Sequence, residues 1–417
     1  MGLALNKSLA LYNRAMEIIP NGTGTFSKSR TSYIPGEMPL YAEGGWGAYL
    51  HDVDSNIYLD FVSGLCSSIL GYCDQDVDIA VIEQIKKGVN LSLPSRLEID
   101  VAELICRMVP SAEMVRFSKN GSDSTMGAIR LARAYTGRDH VAYCGYHGWS
   151  DAVMINPPRN HGVPESVRKL SHTFDYNDIE SLYRLFDEYN DSIACVMMEP
   201  ANYKIPLNGF LNEVKELCHK NKSIFILDEC ITGFRFARGG AQEYFDVIPD
   251  ITCLAKAIAN GYPLSAIAGR ADIMELIGDP QKVHFSFTYS SECVSLAASL
   301  ATLTKINNNP VNDTINARGK QFIDGMSNIL SGTDYFMGGH QSWPWLLLHD
   351  VQKAIVAHRE LINHGIMVNR AGDKISHNLT YSHSVDNIDR LLDAYREVIP
   401  MLNDISFDTV NNGVVIR

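Results

Sequence analysis

Between residues 96 and 256 two kinds of hydrophobic pattern alternate. Residues 96–108 carry Ile99, Val101, Leu104, Ile105 and Met108 at helical spacing, which predicts a helix closed by Pro110. A strand is expected at 113–117, and short runs that are apolar at nearly every position follow at 141–144, 192–198, 223–227 and 249–255. Such runs predict strands buried on both faces, because a strand with one wet face would alternate. A helix opened by Asn120-Gly-Ser-Asp turns Met126, Ile129 and Ala132 inward, has Asp123 in its first turn and Gly137 beyond its end, and another covers 212–220. Strand, helix and strand in turn imply an α/β domain with a mostly parallel sheet covered on both faces.

The flanks read differently. Residues 5–19 predict an amphipathic helix stopped by Pro20-Asn-Gly22, and 22–30 is loop material carrying Lys28 and Arg30. Residues 47–54 and 56–61 predict a hairpin turning at Asp54-Ser55, and a helix follows from 77 to 87, ended by Gly88. From 312 onward a long helix, several strands and a closing helix at 386–402 suggest a smaller α+β domain. The expected division is an N-terminal segment, 1–55, contributing to the small domain, a large domain at 56–309, and a C-terminal small domain at 310–417.

In open α/β sheets ligands gather beyond the carboxyl ends of the strands. Asp228 and Lys256 stand after consecutive buried runs there and are the first candidates for chemistry. Glu199 ends a third run, and Tyr146 follows a fourth, in Gly145-Tyr-His-Gly-Trp. Gly121-Ser122 at a helix start offers backbone N–H groups and a hydroxyl to an anion, although Ser122 alone reads equally well as an N-cap.

Composition narrows the classes. A net charge of −12 argues against nucleic-acid and anionic-membrane surfaces, so any anionic substrate must be caught locally. Nine cysteines, odd in number and never at Cys-x-x-Cys spacing, read as reduced thiols of a cytoplasmic protein and not as a metal site, and no stretch reaches transmembrane length. Neither nucleotide-binding glycine signature is present.

Asn120-Gly-Ser-Asp, Tyr146-His-Gly, Asp228-Glu-Cys-Ile-Thr-Gly-Phe-Arg235, Pro249-Asp through Lys256 and Thr288-Tyr-Ser-Ser together resemble the class III aminotransferases. Val115-Arg-Phe117 and Ala128-Ile-Arg-Leu-Ala-Arg133 resemble the glutamate-1-semialdehyde 2,1-aminomutase subgroup. The resemblance runs in consistent order from about residue 10 to 400. It implies pyridoxal 5'-phosphate (PLP), the fold type I architecture with a seven-stranded sheet in a large PLP-binding domain, and a homodimer with shared sites. It also implies roles: Lys256 joined to PLP as an imine and serving as acid and base, Asp228 on the ring nitrogen, Tyr146 on the ring face, Gly121 and Ser122 on the phosphate, Glu199 near the cofactor, and Thr288 reaching the phosphate of the neighbouring subunit. Glu229 and Arg235 are expected to form a structural ion pair behind the site.

Departures from the subgroup fall where acceptor specificity would lie. Lys28 stands where the aminomutases carry a carboxylate-binding arginine, Asn120 replaces a serine, and Ser291-Glu-Cys293 replaces Gly-Asn-Pro. Lysine is a point charge and cannot form the bidentate fork of arginine. The expected activity is therefore ping-pong transfer of an amino group, with glutamate as donor, to another aldehyde or ketone, such as a sugar or a small phosphorylated carbonyl. The aminomutase reaction is the alternative, and a PLP decarboxylase or racemase stands behind it. Lys28, Arg30 and Arg370 are the candidate cations for a substrate anion.

Overall fold

The computed structural model describes residues 3–279 and 281–403. They fall into two compact units, one made of residues 3–65, 69–74 and 313–403, the other of residues 66–68, 75–279 and 281–312.

The second unit is built on seven strands: β1 (Met114–Ser118), β2 (His140–Cys144), β3 (Ser171–Thr173), β4 (Ile193–Met198), β5 (Ile224–Glu229), β6 (Ile251–Leu254) and β7 (Ser265–Gly269). Their order is β1-β7-β6-β5-β4-β2-β3. Every pairing among β6, β5, β4, β2 and β3 is parallel, and β7 runs antiparallel to both its neighbours. The mostly parallel sheet of the expectation is thus present.

Its apolar runs divide by parity, as two-sided burial requires. Cys195, Met197, Ile224 and Ile226 pack with Ala128, Ile129 and Ala132 of the helix Gly121–Thr136 on one face. Val196, Met198, Phe225 and Leu227 pack with Leu182 and Phe186 of Ile179–Glu188 and with Val214 and Leu217 of Phe210–Lys220 on the other. The helix Gly121–Thr136 ends as its sequence dictates, with Gly137 left-handed at φ 68°.

In the first unit Ala42–Trp46, Tyr49–Asp52 and Ile57–Asp60 form an antiparallel meander, to which Ile366–Met367 adds in parallel. A separate antiparallel sheet joins Phe336–His340, Trp343–Leu347, Lys374–Ser376 and Asn369–Ala371. The helix Asn6–Ile18 has no capping side chain of its own. Asp54, in the hairpin turn, accepts from the backbone N–H groups of Lys7 and Ser8 at 2.8 Å each and does the work of an N-cap from 46 residues away.

Gly319 in the helix Val311–Ile329 lies so close to the chain at Gln341 that a Cβ would stand 1.6 Å from the Gln341 carbonyl oxygen. A backbone atom cannot swing aside as a side chain can. Gly319→Ala should therefore lower stability by at least about 1–3 kcal/mol, against the roughly 1 kcal/mol that alanine gains in a helix. Chemical denaturation of the two proteins checks this, and an alanine variant more stable than the parent would contradict the close approach.

Candidate active site

Four strands deliver polar side chains to the carboxyl edge of the seven-stranded sheet, and β1 leads into a helix start there. Asp228 is the penultimate residue of β5 and lies in register with Cys253 of β6. Lys256 lies two residues past the end of β6, where it opens a short 3₁₀ turn with a left-handed φ of 47°. That conformation costs a non-glycine residue on the order of 1–3 kcal/mol, and such strain collects where a side chain must be aimed.

Asp228 is buried, at 5% exposure. Burial alone would push its carboxyl up, but His147 and the Cys230 N–H bring it below the usual carboxylate range. His147 Nδ1 lies 2.7 Å from Asp228 Oδ2, and Cys230 N–H donates to Oδ1 at 3.1 Å. The other imidazole nitrogen, Nε2, faces the Cys144 carbonyl at 3.1 Å. Both ring nitrogens thus look at acceptors, which calls for the doubly protonated ring. Burial pulls the His147 pKa down, yet the bond and charge of Asp228, aided by Glu199, raise it overall. His147 is the main residue that the sequence reading missed. Its signal was its place directly after Tyr146 in a strand-end loop.

Asn120, rather than Ser122, takes the N-cap position of the helix Gly121–Thr136, and its N–H donates to Asp123 Oδ2 at 2.7 Å. Gly121 and Ser122 are then the first two helical residues, and their N–H groups precede the first intrahelical bond. Two neighbouring glycines have little room for a side chain. A Cβ on Gly148 would meet Ser122 Oγ at 2.2 Å, and one on Gly121 would lie 3.1 Å from Cys230 Sγ. Trp149 N–H donates to Ser122 Oγ at 3.4 Å.

Tyr146 is exposed, and its N–H donates to Glu199 Oε2 at 3.2 Å. Glu199 is partly buried at that loop, and desolvation raises its pKa against the opposing pull of His147. Glu229, fully buried, accepts from Thr232 Oγ1, Ala241 N–H, Gln242 N–H and Gln242 Nε2 at 2.6–3.0 Å. Arg235 Nη2 donates to the Cys66 carbonyl at 2.9 Å. The expected Glu229–Arg235 ion pair is thus absent among the described residues, because each partner is engaged elsewhere. Thr288 is exposed, in an irregular segment.

The three candidate cations belong to the other unit. Arg370 Nη2 donates to the Thr31 carbonyl at 2.9 Å and Nη1 to that of Gly372 at 3.4 Å, so it ties down the 26–32 segment. Arg30 Nε donates to Asn21 Oδ1 at 3.2 Å. Lys28 is exposed, and its charge lowers the pKa of buried Asp60, which burial raises overall.

The donor set suits PLP on geometry alone. Free N–H groups at a helix start suit a phosphate, a buried acid held ionised suits a protonated pyridine nitrogen, and a primary amine stands at the next strand end. Among the described residues no His, Cys, Asp and Glu cluster could hold a metal, and no helix is long and apolar enough to cross a membrane.

The His147–Asp228 pair makes stability depend on pH. The histidine's raised pKa contributes stability that is complete below the unfolded value of about 6.5 and fades as pH rises through the raised one; the aspartate's depressed pKa contributes stability that is complete above about 3.9 and fades as pH falls through the depressed one. Both are complete between about pH 4 and 6.5. His147→Gln should therefore cost the cofactor-free protein about 3 kcal/mol at pH 6 and less at pH 9, by urea denaturation. An equal loss at both pH values would show that the ring is held neutral.

Comparison with known proteins places this geometry. The class III aminotransferase family model matches residues 33–399. A glutamate-1-semialdehyde 2,1-aminomutase of Francisella philomiragia is 36% identical over 353 residues, 80% of this chain and 81% of that protein. A transaminase solved with PLP bound superposes with a TM-score of 0.88 at 26% identity, covering 96% of this chain and 98% of its own. An omega-transaminase from Sphaerobacter thermophilus does so at 0.86 and 28%, covering 95% and 98%. The chain therefore belongs to the class III aminotransferases, PLP enzymes of fold type I.

Proposed function

We propose that the protein transfers an amino group from an amino acid, with L-glutamate as donor, to an aldehyde or ketone in two half-reactions, and that it works as a homodimer with shared sites. The observation that carries the reading is the convergence of Lys256, the ionised Asp228–His147 pair and the Gly121–Ser122 helix start on one sheet edge.

Bound PLP supplies an electron sink for the pair left when the bond from substrate Cα to hydrogen breaks. The rest is work for this chain. Lys256 would hold the cofactor through its Nζ, and the same Nζ, once free, would serve as the base and acid that carries the proton of substrate Cα. Asp228 keeps a proton on the pyridine nitrogen, and His147 keeps Asp228 ionised and turned toward it. Gly121 and Ser122 bind the phosphate, Tyr146 covers the ring face, and Glu199 holds the Tyr146 loop. Lys28, Arg30 and Arg370 are the proposed partners of the substrate anion, with Lys28 the least committed of the three.

The relatives' name supports a second reading, intramolecular amino transfer in glutamate-1-semialdehyde. The two readings separate in a single-turnover experiment. Glutamate alone should convert the absorbance of the bound cofactor to that of its amine form and release 2-oxoglutarate. Isomerisation of the semialdehyde without any glutamate half-reaction would favour the aminomutase. Asp228→Asn should retain PLP and slow the glutamate half-reaction by about ten- to a hundredfold, as loss of a charge-assisted hydrogen bond made in the transition state would require. An unchanged rate would remove Asp228 from its role.

The dimer is supported by Ile79, Ile82, Ile85, Val89, Leu91, Leu93 and Ile99, each between 47% and 78% exposed within a span of 21 residues. So much exposed aliphatic surface in one stretch marks an interaction face. Light scattering should give twice the chain mass, and a monomer with full PLP occupancy would overturn the shared site.

A further inference from the structure

The segment 283–292 follows no regular structure, yet it is fastened at both ends. Val283 and Phe285 are buried, whereas Phe287, Thr288 and Tyr289 are exposed. Two guanidinium groups take successive main-chain carbonyls at its base. Arg130 Nη1 donates to the His284 carbonyl at 2.9 Å, and Arg116 Nη2 donates to that of Phe285 at 3.0 Å. Carbonyls of an extended chain outside a sheet would otherwise be left to water.

The Phe285 ring fills a socket made by a missing side chain, since a Cβ on Gly127 would lie 2.5 Å from the ring. Beyond the tip, Ser290 N–H donates to the Phe287 carbonyl and Glu292 N–H to that of Tyr289, both at 3.2 Å. Lys119 then pairs with Glu292 at 3.1 Å, with both side chains less than one-fifth exposed. Glu292 also caps the helix Cys293–Asn308 through the Val294 and Ser295 N–H groups.

Arg116, Lys119, Gly127 and Arg130 all come from β1, the helix that follows it and the turn between the two. That strand–helix unit also presents Gly121 and Ser122. We propose that Arg116 and Arg130 are positioning residues that hold the 283–292 arm so that Thr288 reaches the phosphate of the cofactor in a neighbouring copy of the chain. The inference rests on the assignment of Thr288 to that phosphate. Each strand–helix unit then binds one phosphate at its own helix start and fixes the hydroxyl lent to the other. A hydroxyl at the tip of an unfastened loop would lose orientational freedom on binding, and the two arginines remove that cost beforehand.

The test compares the dissociation constants of PLP and of pyridoxal, which lacks the phosphate, by absorbance titration of the cofactor-free protein. Arg130→Ala and Arg116→Ala should each weaken PLP about tenfold and pyridoxal less than about twofold, and Arg130→Lys, which keeps a donor, should recover most of the loss. Combined with Thr288→Ala, Arg130→Ala should add less than about twofold, because two residues acting through one contact do not add. Equal losses for PLP and pyridoxal, or full multiplication in the double variant, would overturn the inference. Should Arg116→Ala fail to fold, Arg130, exposed on its helix, decides alone. A Thr288→Ala protein that binds PLP like the parent would remove the Thr288 assignment itself. A weakened Thr288→Ala beside an unchanged Arg130→Ala would leave that assignment standing and remove the positioning role.

Discussion

A carboxylate deprived of water keeps its charge only if the protein supplies what water supplied, and at Asp228 two groups do so. His147 brings a positive charge and a hydrogen bond, and Cys230 adds a backbone N–H. Remove either contribution and burial pushes the acid toward its neutral form, which would not serve the role proposed for Asp228 beside a protonated pyridine nitrogen. The neighbouring groups answer to the same constraint. His147 is fixed in its protonated form by the Cys144 carbonyl behind it, and at Glu199 desolvation outweighs the Tyr146 N–H and the charge of His147 and pushes the acid up.

The acidic balance of the chain has a related consequence. With a net charge of −12 the protein has no broad positive field to draw in a phosphate. In the proposed assignment the start of the helix Gly121–Thr136 answers this with backbone dipoles and unbonded N–H groups, which act at short range and need no lysine. Ser122 is free for that purpose because Asn120 and Asp123 close the capping box one step earlier.

Much of the fold was legible in the chain for reasons of parity and spacing. Runs such as 192–198 and 223–227 can be apolar at every position only if both faces are covered, and the structure covers both. Asp228, Lys256 and Gly121 were legible because they stand at strand ends or helix starts. What escaped were contacts between distant segments. Asp54 capping the helix Asn6–Ile18, Arg370 holding the Thr31 carbonyl, and the separate partners of Glu229 and Arg235 depend on approaches that no local pattern records. His147 escaped for a different reason: a histidine announces its charge state through its neighbours, and both of those were known only in three dimensions.

The one antiparallel strand of the large sheet acts as a spacer. β7 lies between β1 and β6, so the strand leading into Gly121 and the strand leading toward Lys256 stand two strand widths apart, about 10 Å at the usual spacing. Because it runs the other way, β7 brings the start of its own chain to that edge: small Ser265, whose Oγ donates to the Asn120 carbonyl at 2.7 Å. Reversal of a single strand thus keeps the connection 256–264 between β6 and β7 on this one edge, so that Lys256 opens the same short segment whose end, Ser265, is tied to the start of the helix Gly121–Thr136.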